Sequence, residues 1–124
     1  MRFVNTTQSD GSCVKVMTEL EYGVGGFTTN NVRILKEQCE EVYCTLSGRS
    51  ESGVARMLHE QVLIDKTIEA IVKFCKTNGL HLDLNIEGLA SFTAEECIKH
   101  KEFMHQLGLA LKAENIKFRL VTVA

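Results

Sequence analysis

Hydrophobic and polar positions follow two different periods along this chain. In "GLHLDLNIEG", Gly79 to Gly88, the apolar Leu82, Leu84 and Ile86 alternate with Asp83, Asn85 and Glu87. Strict alternation over this length predicts a strand with one face in a core. "EVYCTLSG" behaves in the same way, with Val42, Cys44 and Leu46 set against Tyr43, Thr45 and Ser47. Short apolar runs at Phe3-Val4 and Val14-Val16 flank a turn-like "SDGS", predicting a strand followed by a loop or hairpin. "IKFRLVTVA" predicts a final strand.

Between these stretches the period is helical. After Asn31, a residue able to cap, Val32, Leu35 and Cys39 predict a short helix. In "VARMLHEQVLIDKTIEAIVKFCKTNG" the apolar stripe of Leu63, Ile64, Ile68, Ile71, Val72 and Cys75 predicts a long amphipathic helix stopped by Asn78-Gly79. Thr93 has Glu96 three residues on, the spacing of a capping box, and opens a helix with Phe103, Leu107 and Leu111 on its buried face. Strands and helices therefore alternate, the signature of an α/β fold with a parallel sheet and right-handed crossovers, in a doubly wound sheet or a barrel.

The polar face of the "HLDLNIE" strand favours the barrel. In a doubly wound sheet helices cover both faces, and two acids with an amide beneath a helix are costly without partners. In a (β/α)8 barrel the apolar face meets the outer helices and the polar face looks inward, towards the carboxyl end of the strand where barrel enzymes build their sites. Glu87 lies at that end, and a carboxylic acid near a second acid can be tuned to donate a proton around neutral pH. The competing reading is structural: Asp and Asn at a strand end commonly bond to loop backbone.

Composition narrows the function classes. Charged residues make up 24% of the 124 residues and the formal net charge is -2, so no nucleic-acid partner is expected. No apolar run approaches the 18 or so residues of a membrane span, and the N-terminus lacks the pattern of a secretory signal. Five cysteines, Cys13, Cys39, Cys44, Cys75 and Cys97, include no CxxC or finger spacing and are expected as core residues or free thiols. "EYGVGGFTTNN" lacks both GxGxxG and the GKS/T of a Walker motif, which leaves a Gly-rich connection. His100 and His105 are five apart and no HExxH occurs, so neither a metal nor a cofactor is expected.

The strand Gly79 to Gly88 resembles the signature strand of glycoside hydrolase family 18, the chitinase and chitinase-like fold, with its D-x-x-D-x-D-x-E. Aligning the last acid with Glu87 sets the three aspartates of the pattern against Leu80, Asp83 and Asn85. "IVKFCKTNGL" resembles the helix and approach to that strand, "VYCTLSGRS" the family's third strand with its S-x-G-G, "RFVNTTQSDGS" the second strand and "KFRLVTVA" the fifth. The resemblance implies a single partial domain over residues 1–124, about the second to fifth strands of a (β/α)8 TIM barrel that needs roughly 250 residues when complete.

It also implies substrate-assisted, retaining hydrolysis of N-acetylglucosamine polymers. Glu87 would be the general acid, Asp83 the supporting carboxylate and Asn85 the group orienting the substrate's acetamide, with Ser47 and Gly48 at the substrate-binding strand. The departures point to weak or absent hydrolysis: Asn85 lacks the charge of an aspartate, Leu80 cannot replace the first acid, and Arg49 stands where the second glycine would be. With no Trp and 6% aromatic residues, a stacking floor for sugar rings is poorly provided for. The expected partner is a chitooligosaccharide or another N-acetylglucosamine-containing glycan, and the family's setting is extracellular should a leader precede this chain. Two alternatives remain: an active glycosidase completed by another chain or by missing exons, including a homo-oligomer that covers open sheet edges, and a small α/β interaction protein without a sugar site.

Overall fold

The computed structural model of the chain describes residues 2–5, 14–17, 29–49 and 54–120. The Gly-rich connection at 23–26, the polar loop at 50–53, Cys13 and residues 121–124 lie outside that set. The elements in chain order are β1 (Arg2–Asn5), β2 (Val14–Met17), α1 (Thr29–Gln38), β3 (Tyr43–Arg49), α2 (Val54–Leu58), α3 (Gln61–Asn78), β4 (His81–Glu87), a 3-10 turn (Leu89–Ser91), α4 (Ala94–Ala113) and β5 (Phe118–Leu120).

They build a mixed sheet of strand order β2-β1-β3-β4-β5. The strands β1, β3, β4 and β5 run parallel, and β2 pairs antiparallel with β1. The two short N-terminal apolar runs are thus paired strands, and the α/β class with parallel strand and helix repeats is the one the two periods predict. Successive parallel strands are neighbours in space, so the sheet is wound in one direction without a switch point.

The period-2 pattern sorts the two faces. Leu82, Leu84 and Ile86 of β4 join Cys44 and Leu46 of β3 as one side of the core, against Ile64, Ile71 and Cys75 of α3 and Phe103, Leu107 and Leu111 of α4. Burying each of these larger side chains contributes about 1.5–3 kcal/mol. On the other face Tyr43, His81, Asp83 and Asn85 are half-buried, while Thr45 and Arg119 are exposed.

Caps fix the helix ends. Gly79 takes the left-handed conformation (φ 63°) and its N–H reaches the carbonyls of Cys75 and Lys76, ending α3 where Asn78-Gly79 predicts. A Cβ there would also run into the Lys36 side chain, whose ammonium donates to the Asn78 carbonyl at 2.5 Å and ties α1 to the end of α3. At the start of α4 the Thr93 hydroxyl accepts the Glu96 N–H at 3.1 Å and the Glu96 carboxylate accepts the Thr93 N–H at 2.9 Å, completing the capping box.

The long amphipathic helix is α3, which carries the whole predicted stripe; before it the backbone breaks at His59 and Glu60, where Glu60 is extended (φ -132°, ψ 119°), and α2 is a separate short helix burying Val54, Met57 and Leu58. One element differs from expectation. Helix α1 begins at Thr29, before Asn31, and only Val32 of its expected stripe packs on the core; Leu35 is 46% exposed and Cys39 is exposed.

Candidate functional site

Of the residues singled out from the sequence, Asp83 and Asn85 lie on the polar face of β4. Parallel pairing sets Thr45 beside Asp83, Ser47 beside Asn85 and Arg49 beside Glu87, and on the other flank Arg119 beside Asp83. Because paired residues of adjacent strands share a face, Ser47, Asp83, Asn85 and Glu87 occupy one face. Gly48 pairs with Ile86 and takes the opposite parity, the core side. Glu87 is the last residue of β4; its side chain, like those of Ser47 and Arg49, lies outside the described set. Leu80 is buried and donates its N–H to the Cys75 carbonyl at 2.9 Å.

Asp83 is engaged at both oxygens. Arg119 Nε donates to Oδ1 at 2.6 Å and Nη2 donates to Oδ2 at 3.0 Å, a two-pronged arrangement in which the planar guanidinium matches the carboxylate. The same guanidinium lies over the Tyr43 ring, 3.7 Å from its centroid, so its charge also meets the negative face of an aromatic ring. Tyr43 in turn stands 5.2 Å from the His81 ring and donates its hydroxyl to Glu41 at 3.3 Å. Glu41 pairs with Lys117, and that hydrogen bond holds its carboxyl below the usual carboxylate range. The Lys117 N–H donates to His81 Nδ1 at 2.9 Å, which joins the approach to β5 to the start of β4.

Asn85, one step further along the face, contrasts with this saturation. Its Oδ1 is buried and has no hydrogen-bond partner among the described residues. An orphaned buried amide oxygen costs about 1–3 kcal/mol, so a donor is expected at this position.

No known protein family, curated protein or solved structure matches the chain. The site is therefore read from its own geometry.

Periodicity set Tyr43 on the polar face of its strand but gave it no role, and Arg119 was not singled out; the register that brings Arg119 to Asp83 is a property of strand pairing. A depression of about 720 Å³ lined in part by Tyr43, Lys112, Lys117 and Arg119 wraps the β5 edge at the strands' N-terminal half, the end opposite Glu87. Among the described residues no group of three or more His, Cys, Asp or Glu side chains is arranged to hold a metal ion. Among them also no helix is long and apolar enough to cross a membrane.

Proposed function

We propose that this polar face is a degenerate, chitinase-like sugar-binding surface, part of a barrel-type sheet of the glycoside hydrolase family 18 pattern, which binds N-acetylglucosamine polymers with weak or no hydrolysis. The observation that carries the loss of hydrolysis is the two-pronged hold of Arg119 on Asp83. In the family's mechanism the acids on this strand share a proton and offset the positive charge that develops on the substrate's acetamide. Here Asp83 has both oxygens occupied by a permanent cation, and Asn85 carries no charge. Glu87 would act alone, without the partner that makes protonation of the glycosidic oxygen productive. What remains is a hydrogen-bonding surface, with the Asn85 Oδ1 as an open acceptor for an acetamide N–H.

The one-directional winding and the segregation of polar residues from the helix-covered face support the barrel-type reading. The antiparallel β2 beside β1 stands where a complete barrel would have a parallel strand, a departure from the barrel pattern. A second reading has its own support: the Arg119–Asp83–Tyr43 cluster also suits a small α/β interaction protein in which these groups only fasten β5 to β4.

Titrating the isotope-labelled chain with chitohexaose by NMR tests this. Amide shifts are expected at residues 45–49 and 83–87, weakened in Asn85→Ala, with no release from a fluorogenic chitooligosaccharide. Absence of shifts at millimolar sugar would leave the interaction protein, and robust turnover abolished by Glu87→Gln would overturn the loss of catalysis.

A further inference from the structure

The two thiols inside the core form a pair that the sugar-binding reading does not use. Cys44 of β3 and Cys75 of α3 are 31 positions apart in the chain, yet their Sγ atoms are 3.8 Å apart. Both are buried, at 1% and 0% exposure, whereas Cys39 and Cys97 are exposed. The fold explains the meeting. Helix α3 ends one turn after Cys75, the left-handed Gly79 reverses the chain, and Leu80 returns its N–H to the Cys75 carbonyl. The chain then enters β4, where Leu82 pairs with Cys44.

The environment distinguishes the two sulfurs. Cys44 Sγ lies 3.4 Å from the His81 carbonyl, an acceptor for its S–H, and the Cys75 thiol can donate to Cys44 in turn. That contact favours the thiolate on Cys44 and pushes the Cys75 thiol up, with burial adding to the rise. A disulfide needs the sulfurs at about 2.05 Å, so closure asks for side-chain rotations at two residues already in van der Waals contact.

We propose that Cys44 and Cys75 are a redox pair that a peroxide closes to an intramolecular disulfide, fastening the last turn of α3 to β3. In the first step the Cys44 thiolate attacks one peroxide oxygen; the O–O bond breaks, hydroxide leaves and is protonated to water, and Cys44 becomes a sulfenic acid. In the second, the Cys75 thiol gives up its proton as its sulfur attacks the Cys44 sulfur, and the displaced hydroxide takes that proton and leaves as water. Two thiols and one hydrogen peroxide give one disulfide and two waters. The sulfurs lose the two electrons that the peroxide gains, and a dithiol reductant reverses the bond by exchange. Burial sets the rate, because the oxidant reaches Cys44 only when the α3 end opens locally.

The test uses the full chain and a Cys13→Ser, Cys39→Ser, Cys97→Ser variant that retains only this pair. After hydrogen peroxide and alkylation under denaturing conditions, mass spectrometry is expected to show the loss of two hydrogens and a peptide linking Cys44 to Cys75. The Tm is expected to rise by roughly 5–15 °C and to return with dithiothreitol. Cys75→Ala is expected to show no such rise. The proposal is overturned if both cysteines remain alkylatable, if they gain oxygen without cross-linking, or if Cys75→Ala gains the same stability.

Discussion

His100 shows how a single buried side chain sets a pH response. It lies on the inner side of α4 at 8% exposure, 5.6 Å from the Phe92 ring, with Nε2 buried and without a hydrogen-bond partner among the described residues. Burial pushes its pKa below the ordinary value of about 6.5. The unfolded chain therefore takes up this proton more readily than the folded one. Stability is full above about pH 6.5, falls as pH drops through the window between the unfolded and the lower folded value, and levels below it. Urea denaturation at pH 7 and pH 5 is expected to show this loss, and His100→Leu is expected to flatten it. Glu96 acts in a lower window. Its carboxyl is held down chiefly by the Thr93 N–H, with His59 adding to the effect, so its contribution is present above its unfolded value and lost as pH falls through the folded one.

Among the elements, α4 carries the clearest start signal. Thr93→Ala removes the acceptor for the Glu96 N–H and is expected to cost about 1 kcal/mol, within a range of roughly 0.5–2. Equilibrium denaturation measures this, and Thr93→Ser is expected to restore most of it. This cap was legible in the sequence because it depends on a local spacing. So was the end of α3, since Gly79 occupies a conformation that other residues adopt only at a cost. The break between α2 and α3 had no such marker. His59 and Glu60 tolerate helix, and the interruption instead lets Met57 and Leu58 enter the core alongside Leu63 and Ile64. In α1 the periodicity was present, but tertiary packing used only Val32, with Lys36 rather than an apolar stripe making the bond to α3.

At the scale of the whole molecule, the two-faced β4 was readable because alternation has a fixed geometric meaning. The sequence placed Asp83, Asn85 and Glu87 on one side and Leu82, Leu84 and Ile86 on the other, and the structure divides the described side chains of the strand in that way. Register across strands is another matter, since it depends on pairings between segments distant in the chain. Hence neither the seat of Arg119 beside Asp83 nor the contact of Cys44 with Cys75 could be read from spacing. For β1 and β2 the sequence offered a hairpin as one of two readings, and their antiparallel pairing is that one; only its register was out of reach.

The place of β5 at the end of the sheet has a consequence for how the molecule comes apart. Among the described residues its inward anchor is Phe118 beside Gly108 of α4, and its hold on β4 includes the charged clasp from Arg119 to Asp83. Since salt weakens partly exposed ion pairs, the attachment of β5 depends in part on ionic strength. Its amides are expected to exchange with deuterium sooner than those of β3 and β4. Arg119→Ala or added salt is expected to hasten that exchange while leaving the central strands protected; uniform exchange across all three strands would contradict it. Peeling of β5 from this side then releases the flank of Asp83.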